Sequence, residues 1–149
     1  KLVELRAVIA LMLTYEGRYP LAMFADRKWD LLSERVQDRV AAGREITPED
    51  YADALEWCTA FRARHQGMRE RADGFITLNQ IDPAPHGMAV GDVVYGEPSS
   101  VLGSPALNLP LLAIDGLPLG IQFLGFFRED HKLVAYAHWL VHAALGIAT

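Results

Sequence analysis

The chain has 149 residues, 51% of them hydrophobic and 22% charged, and a formal net charge of −5 at pH 7. That length suits one domain and is enough to bury a core. The acidic balance argues against a nucleic-acid partner or an anionic membrane surface, since both favour an excess of Lys and Arg. Cys58 is the only cysteine. No disulfide can form within the chain, which fits a reducing, cytoplasmic setting.

Residues 2–16 carry Leu2, Leu5, Val8, Ile9, Met12 and Tyr15 at helical spacing. Gly17 and Pro20 are expected to break that helix. Glu4 and Arg6 interrupt its apolar run, which at about a dozen residues is short of the roughly 20 a membrane span needs. No small-residue cleavage site follows, so the segment reads as a buried helix and not as a signal peptide. A second helix is expected over about Asp26–Ala42, with Trp29, Leu32, Val36 and Val40 on one face and Gly43 in the C′ position. The third has the clearest start: Thr47 as N-cap, Pro48 at N1, then Glu49 and Asp50 in the first turn. Tyr51, Ala54, Leu55, Cys58 and Phe61 form its apolar face, and it is expected to reach about Ala72.

Asp73-Gly74 closes the helical half, and Phe75–Leu78 reads as a short buried strand. Residues 79–98 hold Pro83, Pro85, Gly87, Gly91, Gly96 and Pro98 and read as a long loop, a kind of segment that is often functional. Ala106–Ala113 and Leu119–Gly125 are apolar on both faces, as in central strands of a larger sheet covered on two sides. Asp115-Gly116 between them is a hairpin signal. A last helix spans about Glu129–Leu145. The expected fold class is α/β, or mixed α+β: helices over 1–72, sheet and loop over 73–126 with a hairpin near 106–125 in a mixed sheet, and a terminal helix over 129–145. Together they make one domain or part of one.

Few residues suggest chemistry on their own. Ser99 and Ser100 have no base or oxyanion hole visible nearby, and nucleophilic catalysis needs both. Cys58 lies on an apolar helix face and reads as a small buried hydrophobe. His131, His138 and His142 fall within about 40° of one another on a helical wheel, opposite Leu133, Ala137 and Leu140. Only His138 and His142 have the i,i+4 spacing of a two-ligand site. With no Cys and no His-Glu-x-x-His frame, the stripe reads as a solvent face, and no metal is expected. Trp29, Trp57 and Trp139 read as packing anchors.

One ordered set of short motifs carries a resemblance. Gly91-Asp92, a loop ending in Ser100, then Leu102-Gly103-Ser104-Pro105-Ala106, an apolar run to Pro110, and Gly116-Leu117-Pro118-Leu119-Gly120-Ile121-Gln122 follow one another. In this order they resemble the C-terminal part of amidase-signature hydrolases. Upstream, Gly43 with Ile46, Asp50-Tyr51 and Ala54 is similar to a family segment, as are Thr14-Tyr15-Glu16 and Ala84-Pro85-His86-Gly87. Asp73 with Ile76-Thr77 matches too, except that Leu78 stands where the family usually has Pro. Phe126-Phe127 and Glu129-Asp130 look like its closing segment.

The resemblance implies hydrolysis of C–N amide bonds without a metal or organic cofactor. Family members are far longer. They use a Ser nucleophile in a Gly-Gly-Ser-Ser-Gly-Gly stretch, a second Ser in a cis peptide, and a Lys. None of the 12 glycines here is followed by another, and the only serines are Ser33, Ser99, Ser100 and Ser104. Lys1, Lys28 and Lys132 are the only lysines. The resemblance therefore implies a C-terminal portion with no catalytic residue of its own. It would supply scaffold and one wall of a substrate pocket, to which Asp92, Ser100 and Gly103 would contribute. The expected partners are a small-molecule amide in the complete enzyme and the missing N-terminal part. Two further readings are a self-associating non-catalytic module, forming a homo-oligomer through its apolar strands, and a chain that pairs with a separate polypeptide carrying the Ser-Ser-Lys residues.

Overall fold

Helix α1 runs from Leu2 to Lys28 and passes through Gly17 and Pro20, where the sequence predicts a break. The structure is a computed structural model and describes residues 2–87 and 91–145. An interior proline loses a backbone hydrogen bond and crowds the preceding turn, at a cost of about 3 kcal/mol. Contacts within the helix and with residues beyond it hold these turns helical. The Arg18 guanidinium lies 3.8 Å from the Tyr15 ring centroid and 4.7 Å from that of Tyr19. It also donates to the Ile46 carbonyl at 3.2 Å. The Tyr51 hydroxyl donates to Glu16 at 2.7 Å, and the Tyr15 and Tyr51 rings stack with centroids 4.3 Å apart.

The second predicted helix is divided. α1 absorbs Asp26 to Lys28, a single 3₁₀ turn covers Trp29–Leu31, and α2 spans Glu34–Glu45. Ser33 is the reason. It is extended (φ −62°, ψ 149°), and its carbonyl accepts from the Val36 and Gln37 amides. The Gln37 carboxamide donates back to the Trp29 and Leu32 carbonyls at 3.0 and 3.1 Å. Gly43 lies inside α2 and not beyond its end. A Cβ there would sit 2.9 Å from the Thr14 carbonyl oxygen and 3.1 Å from Arg18 Cβ. The glycine therefore lets α1 and α2 approach closely.

Helix α3 (Pro48–Gly67) starts where predicted. Thr47 and Asp50 form a reciprocal cap: the Thr47 hydroxyl and amide both donate to the Asp50 carboxylate, and the Asp50 amide donates to Thr47 Oγ1. The Thr47 hydroxyl, and then its amide, hold the Asp50 carboxyl below the usual carboxylate range. The helix stops at Gly67, short of Ala72, and a 3₁₀ turn continues it over Met68–Glu70. Ala54 and Cys58 are buried, as expected, whereas Leu55 is 40% exposed. The Cys58 sulfur lies 3.4 Å from that of Met12.

The chain divides into two compact units, the first through Ala60 and the second from Phe61 on. The first holds α1, α2 and most of α3. The second is built on a three-stranded sheet of β1 (Phe75–Leu78), β2 (Ala106–Ile114) and β3 (Leu117–Leu124), in the order β1-β3-β2. Both pairings are antiparallel. Among the described residues the sheet is thus not mixed, because the hairpin reverses β3 against β2, and β1 joins β3 from the other side in the same direction as β2. Asp115 and Gly116 form the two-residue turn with φ of 51° and 78°, the paired positive values of a type I′ hairpin. Pro110 falls where the β2–β3 register shifts between Leu109 and Leu112. A residue without an N–H is tolerated there, at a bulge on an edge strand.

Only β3 fits the expectation of a strand covered on both faces. Leu119, Gln122, Phe123 and Leu124 are buried, whereas Leu112 and Ile114 of β2 are 41% and 42% exposed. Helix α5 (Asp130–Leu145) turns Leu133 and Ala137 inward and leaves His131 and His138 exposed. A helix that the sequence does not predict, α4 (Glu97–Leu102), closes the long loop. Residues 88–90 of that loop lie outside the described residues.

Gly43 gives a test with opposite signs. Helix propensity alone makes Gly→Ala stabilising by up to about 1 kcal/mol, but overpacking against the α1 backbone is expected to dominate. Gly43→Ala should lower stability in urea denaturation by about 1–3 kcal/mol. A more stable variant would contradict the packing read here.

Candidate functional site

The register of the sheet gathers polar side chains in one row. Thr77 of β1 and Asn108 of β2 both pair with Gln122 of β3, so all three share one face. Gln122 is buried, and its Nε2 donates to the Tyr95 carbonyl at 2.7 Å. That bond fastens the loop before α4 to the centre of the sheet. Gly120 stands beside the row, and a Cβ there would run into the Asn108 carboxamide. The Gly120 carbonyl accepts from the Asn79 amide at 2.9 Å. Asn79, Gln80, Asp82, Asn108, Pro110 and Gly120 line a cavity of about 190 Å³ here. Gly91 lies against Gln80 as Gly120 lies against Asn108. The two glycines of the resembling motifs thus leave room for carboxamides.

A second cavity, of about 540 Å³, is lined by Arg62, Gln66, Arg69, Leu102, Gly103 and Phe127. Arg62 Nε donates to the Val101 carbonyl at 2.6 Å, which ties α3 to the end of α4. Arg69 pairs with the buried Glu129, which also takes Lys132 at 3.0 Å. The wall is therefore positive on the α3 side and apolar at Leu102 and Phe127. Its size falls in the range of small-molecule sites.

The three residues expected at a pocket lie on one loop–helix segment with different surroundings. Gly103 lines the larger cavity. It has φ 59° as the C′ residue of α4, and its amide donates to the Ser99 carbonyl. Asp92 is exposed and accepts from the Val94 amide at 3.0 Å, the turn-capping pattern of a loop Asp. Ser100 is exposed on α4. Neither is among the described residues of the cavity wall. The Ser99 hydroxyl donates to the Gly96 carbonyl at 2.8 Å, so it is engaged with backbone and not with a base. Ser104 is buried, and among the described residues its hydroxyl has no hydrogen-bond partner.

His65 carries no signal in the sequence. It is buried with its ring 4.8 Å from that of Phe126 and 5.3 Å from that of Phe75, and neither ring nitrogen has a partner among the described residues. Burial lowers its pKa and keeps the imidazole neutral. Of the three α5 histidines, the structure brings two together: His138 Nε2 and His142 Nε2 lie 2.9 Å apart. Among the described residues no three His, Cys, Asp or Glu converge as a metal site.

No family model matches the chain. It is 26% identical over 146 residues to a glutamyl-tRNA(Gln) amidotransferase subunit of Gluconobacter oxydans, covering 88% of this chain and 28% of that protein. The corresponding protein of Clostridium kluyveri is 28% identical over 114 residues, with 66% of this chain and 23% of the relative covered. The chain therefore spans only about a quarter of the length of these relatives. A crystal structure of an amidase superposes with a TM-score of 0.87 at 26% identity, over 95% of this chain and 36% of the other.

The Gln122–Tyr95 bond is expected to order the loop. Gln122→Leu keeps the volume but leaves the Tyr95 carbonyl unpaired, at a cost of about 1–3 kcal/mol. Amide hydrogen exchange over residues 91–96 should accelerate in this variant while that of α1 and α2 stays unchanged. Unaltered exchange in the loop would contradict the role assigned to Gln122.

Proposed function

Because the chain belongs to the amidase-signature family as a C-terminal portion, we propose that it serves an enzyme that hydrolyses C–N amide bonds. In this reading it supplies scaffold and one wall of the substrate pocket, and the Ser-Ser-Lys residues lie in the remainder of the enzyme. The observation that carries the proposal is the superposition on an amidase over 95% of this chain but only 36% of the other. The Gly116–Gln122 motif supports it, since its residues shape the hairpin and hold the loop that bears Asp92, Ser100 and Gly103. The proposed substrate is a small-molecule amide. The net charge of −5 disfavours a nucleic-acid surface. The proposed setting is cytoplasmic, in keeping with the single cysteine, and no helix among the described residues is long and apolar enough to cross a membrane.

A second reading concerns what β2 meets. Its outer edge carries exposed Leu112 and Ile114 beside Leu117 at 42% exposure. An apolar edge of this kind is a template for pairing with another chain. A separate polypeptide carrying the Ser-Ser-Lys residues, or a second copy, would cover it.

The chain alone is expected to have no amidase activity. Ammonia release from a panel of aliphatic and aromatic amides should stay at the level of buffer. Turnover that survives purification and disappears in Ser100→Ala would sink the proposal, because it would place the nucleophile here.

A further inference from the structure

The geometry points to His138 and His142 of α5 as a two-point site for a divalent transition metal, with Cu²⁺ and Ni²⁺ preferred over Zn²⁺. This site is separate from the proposed amide chemistry and supplies nothing to it. Residues four apart on a helix are neighbours on one face. Here that spacing places the two Nε2 atoms 2.9 Å apart, with ring centroids 4.2 Å apart and planes tilted by 49°. Neutral imidazole is the commonest metal ligand in proteins, through either ring nitrogen.

The separation suits a right-angled pair of ligands. Imidazole nitrogens bind at about 2.0–2.1 Å, so two of them 2.9 Å apart subtend about 90° at a shared ion. A right angle between neighbouring ligands belongs to the square-planar or tetragonal sites of Cu²⁺ and Ni²⁺. A tetrahedral Zn²⁺ site needs about 109°, which at the same bond length asks for nitrogens about 3.3 Å apart. Histidines four apart on a helix also hold Zn²⁺, so the preference rests on the stronger affinity of nitrogen donors for Cu²⁺ and Ni²⁺.

His131 cannot join them. It lies seven residues before His138, about 10 Å along the helix axis, beyond the reach of one ion. The site therefore has two protein ligands, and water completes the coordination. The shared Nε2 contact is a hydrogen bond in the metal-free chain, so one ring carries its proton on Nε2. Binding requires that ring to move the proton to Nδ1, with no net release. His142 Nδ1 is buried without a hydrogen-bond partner among the described residues. No second shell fixes its tautomer there, and such partners raise metal affinity about 10–100-fold. The site is accordingly a modest binder. Its chelating pair still exceeds a single histidine, because the second nitrogen binds intramolecularly.

Trp139 adjoins His138 and is 65% exposed, so bound Cu²⁺ should quench its fluorescence. The test is calorimetric and fluorescence titration of the full chain with Cu²⁺, Ni²⁺ and Zn²⁺ in a non-chelating buffer at neutral pH. One equivalent of Cu²⁺ or Ni²⁺ should bind, Zn²⁺ more weakly. His138→Gln and His142→Gln should each weaken Cu²⁺ binding by about tenfold or more, and His131→Gln should leave it unchanged. Electron paramagnetic resonance of the Cu²⁺ complex should show coupling to two nitrogen donors, a readout that survives if a variant fails to fold. Equal binding by the parent and the His138 and His142 variants, tightest binding of Zn²⁺, or coupling to fewer than two nitrogens would overturn the assignment.

Discussion

The carboxamide of Gln122 is the link on which the second unit's geometry depends. It sits at the centre of β3, paired with β1 on one side and β2 on the other, and it reaches out of the sheet to the Tyr95 carbonyl. A buried amide that lost this partner would bear the full desolvation cost of an unmade hydrogen bond. One side chain thus ties the strand that organises the sheet to the loop that leads into α4. Arg62 makes a corresponding bond from α3 to the Val101 carbonyl at the far end of α4. Between them, these two bonds fix the segment that carries Ser100 and Gly103.

Legibility in the sequence followed how local the cause was. Thr47, Pro48 and Asp50 contain the whole start of α3 within four residues, and the structure shows that cap. Asp115-Gly116 likewise contains its own turn, because the positive φ values require nothing outside the dipeptide. The limits of the first two helices are not legible in the sequence because residues outside each helix help to set them. Pro20 is a break signal that Arg18, Tyr15 and residues near α3 override. Gly43 fits a C′ position as well as it fits a helix crossing, and only the Thr14 backbone across from it decides. The missed α4 did have local signals, Pro98 in its first turn and Gly103 after its end. They were lost among the prolines and glycines of the surrounding loop.

The candidate site shows the same division. The ordered motifs from Gly91 to Gln122 coincide with the α4 segment and the β2–β3 hairpin, since each reflects a local backbone need. The larger cavity is not legible, because Arg62, Gln66 and Arg69 come from the end of α3 and the turn after it, some forty residues before Gly103, and Phe127 comes after the sheet. The two glycines at 91 and 120 take their meaning from Gln80 and Asn108, which only the strand register brings near. His65 carried no sequence signal: its neighbours Arg64 and Gln66 suggest a polar surface, whereas Phe75 and Phe126 enclose it.

The central claim is that this chain is a portion of a larger fold and presents surface meant to be covered. The β2 edge, with Leu112 and Ile114 open to solvent, is its clearest sign. Burial is worth about 25 cal/mol per Å² of apolar surface, so such an edge favours association. Sedimentation velocity over a wide concentration range, with hydrophobic-dye binding measured in parallel, tests this most directly. The account predicts a concentration-dependent shift to larger species and dye binding that falls as they form. A compact monomer at every concentration that binds no dye would show that the chain closes its own surface, and would contradict it.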